Sequence, residues 1–173
     1  MKRHIVLIGL PGIGKSTVGR LIAERLHTEY VDIDSILTRK EGKPITMVFA
    51  EKGEAAFREM ERKEVEAALE HEPAVIVPGG GWAAQPGQLD AARSRGYFVY
   101  LKARAEIAAR RADEAAGTRP VLMGEDPVVQ MRTLFNERDP YYAKADATVL
   151  TEAKSAEKVA EEIIRLAQTS AGW

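Results

Sequence analysis

Apolar residues are distributed along this chain in two alternating rhythms. Short unbroken runs occur at Ile5–Ile8, Tyr30–Ile33, Ala74–Val77, Tyr97–Leu101 and Ala147–Leu150, the pattern of strands buried on both faces. Between them apolar positions recur every three or four residues, which predicts helices over Ser16–Leu26, Glu54–Leu69, Pro86–Arg95, Ala105–Asp113, Pro127–Asp139 and Ser155–Gln168. In the last of these Ser155 stands as N-cap, and Val159, Ile163, Leu166 and Ala167 form one stripe. Strands alternating with helices predict βαβ units, and therefore a parallel sheet covered by helices on both faces in a three-layer α/β arrangement. Two stretches break the rhythm. Thr38–Lys52 and Asp113–Asp126 lack a clear period and read as mobile inserts.

The junction between the first strand and first helix carries the strongest chemical signal. Gly9-Leu10-Pro11-Gly12-Ile13-Gly14-Lys15-Ser16-Thr17 fits G-x-x-x-x-G-K-[ST], the phosphate-binding loop. Its glycines allow a tight turn that points backbone N–H groups at one spot, and the following helix N-terminus adds partial positive charge there. Lys15 is placed to reach the β- and γ-phosphates of a nucleoside triphosphate, and the Ser16 hydroxyl to hold Mg²⁺.

Further candidates follow at the ends of later strands. The third strand ends in Pro78-Gly79-Gly80-Gly81 and supplies no carboxylate, whereas the second ends in Asp32-Ile33-Asp34, at the ligand edge of an open α/β sheet. A turn into a helix at Ser35 would fan the two acids apart, one toward Mg²⁺ and the other toward a second substrate. Capping that helix is the ordinary job for a lone Asp, but the pair beside a phosphate site favours function. Three consecutive glycines carry a heavy entropic cost, which suits a place where a ligand touches the backbone itself. Trp82, just after them, reads as a lid over that turn or as a half-buried core residue.

Arginines complete the set. Glu61 lies three residues beyond Arg58 and within reach to orient it, although an exposed helical ion pair is the simpler reading of those two residues. Val128, Met131, Phe135, Arg138 and Tyr142 step by three and four, so Arg138 occupies an apolar stripe and requires an anionic partner, either a structural acid or a substrate carboxylate. Pro140 is expected to end or kink that helix near Asp139. Arg119, just before Pro120, suits a loop that swings positive charge onto a transferring phosphoryl group, or is a solvated loop residue.

Composition narrows the setting. With 25 Lys plus Arg against 26 Asp plus Glu, the net charge of −1 argues against nucleic acid or an anionic membrane as partner. There is no cysteine, which removes disulfides, thiolate metal sites and Cys nucleophiles. His4, His27 and His71 are scattered without metal-ligand spacing, and each reads as a surface or helix-end residue. The length fits one domain spanning 1–173, and the absence of a membrane-length apolar run or signal peptide points to the cytoplasm.

Taken together the motifs resemble the shikimate kinase family: the phosphate loop, the D-x-D, the G-E-x-x-F-R block at 53–58, the triple glycine at 79–81, the R-P pair at 119–120 and the R-x-P-x-Y run at 138–142 occur in order along nearly the whole chain. The resemblance implies a nucleoside-monophosphate-kinase-like P-loop fold with five parallel strands, a substrate-binding segment over about 34–63 and a lid over about 113–126. It also implies a monomer that transfers the γ-phosphoryl group of ATP to the 3-hydroxyl of shikimate. Gly12, Ile13, Gly14, Lys15, Ser16 and Thr17 would cradle ATP, with Arg111 near adenine and Arg119 on the phosphates. Ser16 and Asp32 would hold Mg²⁺, the latter through water. Asp34 would bind the shikimate hydroxyls and act as base, Arg58 and Arg138 would grip the carboxylate, and Gly79, Gly80 and Gly81 would offer backbone contacts. Competing readings are a kinase for another small hydroxy acid such as gluconate or for a nucleotide, and a non-catalytic nucleotide-binding relative; intact Lys15, Ser16, Asp34 and Arg119 speak against the last.

Overall fold

The computed structural model describes residues 1–116 and 126–173. Five strands form one all-parallel sheet: β1 (His4–Ile8), β2 (Tyr30–Asp32), β3 (Val75–Val77), β4 (Gly96–Lys102) and β5 (Ala147–Leu150), in the order β2-β3-β1-β4-β5. β1 lies at the centre, Ile5 pairing with Val75 on one side and Tyr97 on the other. Every residue of β1 and β3 is buried, as expected of strands covered on both faces. The five apolar runs therefore mark the five strands to within a residue or two at each end.

The helices are α1 (Lys15–Leu26), α2 (Ile33–Glu41), α3 (Ile45–Lys52), α4 (Glu54–Leu69), α5 (Gln88–Ala92), α6 (Ala105–Ala116), α7 (Pro127–Tyr142) and α8 (Ala156–Ser170). Ser155 caps α8 by accepting from the Lys158 N–H, as its position predicts. None of these helices is long and apolar enough to cross a membrane.

Three expectations need correction. Thr38–Lys52 is helical scaffold: it holds the end of α2 and all of α3, with Val48 wholly buried and the Phe49 ring 5.5 Å from that of Phe57. Gly42, left-handed at φ 69°, stops α2, and Pro44 starts α3; the resulting pieces are too short to show a period. Pro86–Arg95 shrinks to the five residues of α5, because hydrogen-bonded turns occupy Trp82–Gln88. Pro140 does not end α7, which runs on to Tyr142, whose ring is anchored in the core 5.1 Å from that of Tyr100. Of the two readings of Trp82 the core one holds: the side chain is buried and stacked on Phe98 with centroids 5.9 Å apart.

His4 is not at the surface either. Only 3% exposed within β1, its ring accepts the Ala74 N–H at Nδ1 (3.0 Å) and donates from Nε2 to the Leu69 carbonyl (3.1 Å), so the neutral ring ties the end of α4 to the start of β3. Burial, chiefly, pushes its pKa below the ordinary 6.5. Below pH 6.5 the unfolded chain takes up a proton that the folded chain refuses, so stability must fall as pH drops through that window. Urea unfolding from pH 7.5 downward should show this decline in the wild type, with a shallower slope in His4→Gln.

Candidate active site

α1 begins at Lys15 directly after the loop, and the first helical bond runs from the Val18 N–H to the Gly14 carbonyl. The N–H groups of Lys15, Ser16 and Thr17 therefore have no intrahelical acceptor and face the same anion site. Gly12 at φ 79° and Gly14 at φ 98° both require glycine, for different reasons. A Cβ on Gly12 would collide with the α6 backbone, 2.7 Å from the Ala108 carbonyl, whereas a Cβ on Gly14 would meet nothing within 4 Å. The loop is thus pressed against α6 on one side and open on the other. Lys15 Nζ donates to the carbonyls of Gly9 (2.6 Å) and Leu10 (2.9 Å), holding its ammonium over the loop.

That open side is a cavity of about 550 Å³ lined by Gly12 to Thr17, Asp32, Asp34, Ser35, Thr38, Arg39, Pro78 and Gly80. The helix carrying the acids starts at Ile33, two residues before the expected turn at Ser35. Asp32 is its N-cap, Oδ1 accepting from the Ser35 N–H (3.1 Å) while Oδ2 accepts from the Tyr30 hydroxyl (3.0 Å). Capping and facing the cavity prove compatible for the same carboxylate. Ile33 turns into the core, and Asp32 and Asp34 on either side of it both line the cavity.

The triple glycine is the floor on which the two halves of the site meet. None of the three has a positive φ, so they are present for space, not conformation. A Cβ on Gly79 would fall 1.9 Å from Glu61 Oε2 and 2.9 Å from Asp34 Oδ1; on Gly80, 3.0 Å from Arg138 Nη1; on Gly81, 2.4 Å from the Arg58 guanidinium. Bare backbone lets four charged side chains from α2, α4 and α7 converge. Arg58 and Arg138 are brought together, beside Asp34 and next to the phosphate cradle.

Within this cluster Arg58 pairs with Glu61 at 3.0 Å, and the pair is not the exposed one its spacing suggested: Glu61 is 1% and Arg58 20% exposed. Burial, partly offset by Arg58, raises the Glu61 carboxyl above its ordinary range, and Asp34 adds to the rise. Arg58 Nε and Glu61 Oε2 are buried without a hydrogen-bond partner among the described residues, which leaves polar capacity at the floor. Arg138 forms no direct ion pair among the described residues; its Nη1 reaches the Tyr142 hydroxyl (3.4 Å), which itself donates to the Gly80 carbonyl. Sequence reasoning missed the burial of Glu61 and the roles of Tyr142, Thr38 and Arg39. The 58/61 spacing signalled the pairing of Arg58 with Glu61, but not its burial.

A second cavity, about 250 Å³, adjoins the loop between Ile13, Thr17, Arg111, Thr151 and Lys154. Arg111 spans it, donating to the Ile13 carbonyl (3.3 Å) and to Thr151 Oγ1 (3.3 Å). Arg119 and most of the expected lid lie outside the described residues.

A triphosphate cradle that shares a glycine floor with an arginine-lined recess defines a P-loop small-molecule kinase. The family model "Shikimate kinase" matches residues 11–168. The chain is 37% identical over 163 residues to a shikimate kinase of Caldanaerobacter subterraneus subsp. tengcongensis, covering 94% of this chain and 95% of the relative. It is 40% identical over 169 residues to that of Chlorobium chlorochromatii, covering 93% and 88%. Among solved structures it is similar to shikimate kinase from Acinetobacter baumannii in complex with shikimate, with a TM-score of 0.89 and 33% identity over 98% of this chain and 94% of the other. The chain belongs to the shikimate kinase family.

Removing one partner of a buried pair strands the other charge. Because Arg58 keeps some contact with solvent, Glu61→Ala should lower unfolding stability by roughly 2 kcal/mol, below the 3–5 kcal/mol of a fully buried pair. Urea denaturation measures this directly.

Proposed function

We propose that the chain transfers the γ-phosphoryl group of ATP to the 3-hydroxyl of shikimate, giving shikimate 3-phosphate and ADP on the route to chorismate and aromatic amino acids. The observation that carries this reading is the convergence of Arg58 and Arg138 on Gly80 and Gly81, next to Asp34 and the phosphate loop. Two guanidinium groups, one without an ion-pair partner among the described residues, fit a carboxylate on the acceptor. The A. baumannii relative is described in complex with shikimate, which supports the same choice.

Phosphoryl transfer depends on positioning and charge neutralisation more than on covalent chemistry. Backbone N–H groups of Gly12 to Thr17 and the Lys15 ammonium receive the phosphates. Arg111 borders the neighbouring cavity, which suits adenine. Arg58 and Arg138 fix the acceptor carboxylate while the backbone of Gly79, Gly80 and Gly81 forms its floor, so that one hydroxyl faces Asp34. Asp34 accepts the hydroxyl proton late in the transfer. Arg119 arrives from the lid, about 113–126, to neutralise the moving phosphoryl, and the segment over about 34–63 forms the acceptor side. The chain works as a single-domain monomer in the cytoplasm.

The residues present also fit Mg²⁺. Ser16 and Asp32 offer two hard oxygen ligands on one cavity wall, and among the described residues there is no cluster of three or more His, Cys, Asp or Glu. This suits an ion held largely by nucleotide phosphates, with Ser16 binding it directly and Asp32 through water. When bound, it supplies positive charge to the β- and γ-phosphate oxygens.

A coupled ADP-release assay should give turnover with shikimate and none with gluconate or nucleoside monophosphates; no turnover with shikimate defeats the proposal. Arg138→Ala should raise KM for shikimate about tenfold or more with KM for ATP nearly unchanged, the expected loss of a charge-assisted contact. Asp34→Asn should lower kcat by about 10²-fold, within the usual range for a general base.

A further inference from the structure

Tyr30 contributes no atom to the lining of the main cavity, yet it touches what holds that lining in place. One edge of its ring packs against α1, where a Cβ on Gly19 would come within 2.8 Å of Cε2 and 3.3 Å of Cδ2. Gly19 is one helical turn beyond Ser16, and the hydroxyl end of the ring neighbours the Ser16 hydroxyl. The Arg20 guanidinium covers the ring 5.2 Å from its centroid. From this fixed position the phenol donates to Asp32 Oδ2 (3.0 Å), while the Ser35 N–H occupies Oδ1 (3.1 Å). Each oxygen of the Asp32 carboxylate thus has one internal donor, which sets the plane of the group and the direction of its remaining lone pairs.

We propose that Tyr30 is a positioning residue for the divalent cation: its hydroxyl orients Asp32 from beside Ser16 and so fixes the two oxygen groups that receive the metal. The inference rests on the phosphoryl-transfer reading above. Groups that orient metal ligands contribute about 10- to 100-fold in metal affinity. The lower end is expected here, because phosphate oxygens carry part of the coordination.

Tyr30→Phe keeps the ring against Gly19 and removes only the hydroxyl. With Mn²⁺ as the probe and saturating ADP, electron paramagnetic resonance of the free ion should show roughly tenfold weaker Mn²⁺ binding by the variant. ADP affinity measured in EDTA and KM for shikimate should match the wild type, whereas a general packing defect would move all three. In an Asp32→Ala background, adding Tyr30→Phe should weaken Mn²⁺ binding no further, since the group being oriented is gone. Equal Mn²⁺ affinity in wild type and Tyr30→Phe overturns the inference, as does a full additional loss in the Asp32→Ala background. A wild-type protein that binds ADP but takes up no Mn²⁺ removes the metal assignment itself, a failure distinct from that of Tyr30.

Discussion

Four charged side chains share one patch of unsubstituted backbone, and the site depends on that crowding. Asp34, Arg58, Glu61 and Arg138 come from three different helices, yet each presses on a face of Gly79, Gly80 or Gly81 where a single methyl group would collide or crowd it. Like charges at such proximity repel, so the arrangement holds only because signs alternate. Arg58 offsets Glu61, and the Glu61 charge reaches Arg138 in turn. Two acids and two arginines make up the cluster, and among the described residues Arg138 is the arginine of the two that forms no direct ion pair.

The donor half is built on a different principle. There the positive character comes from backbone geometry, with the first turn of α1 and the glycine loop directing N–H groups at the phosphates before Lys15 is counted. α6 backs the loop so closely at Gly12 that no side chain fits between them. A cradle made of backbone and a recess made of paired side chains fail differently. The first tolerates change at exposed positions, whereas the second loses its balance when any member is neutralised.

What could be read from the residues alone was whatever is local. The phosphate loop, the Ser155 cap and the five strands declare themselves within a few residues. Asp34 and Arg138 were legible because each breaks a pattern, one by pairing with Asp32 after a strand and the other by placing charge in an apolar stripe. Burial of Glu61 was not, because spacing along α4 says nothing of the Gly79 backbone lying on it. The glycines were correctly flagged, but for contact with a ligand; the space they open is filled first by the protein's own side chains. His4 escaped notice because its two partners sit 65 and 70 residues away. The helices within Thr38–Lys52 are too short for periodicity to show.

The strand order has a consequence for how the two reactants meet. The phosphate loop leaves the end of β1 and the glycine floor leaves the end of β3, and these strands are hydrogen-bonded neighbours with Val6 opposite Ile76. Neighbouring strands lie about 4.8 Å apart whatever their side chains. The sheet therefore acts as a ruler between donor and acceptor: its ladder of peptide bonds, common to all sequences, sets the gap, and substitutions in the pocket alter only what the gap contains.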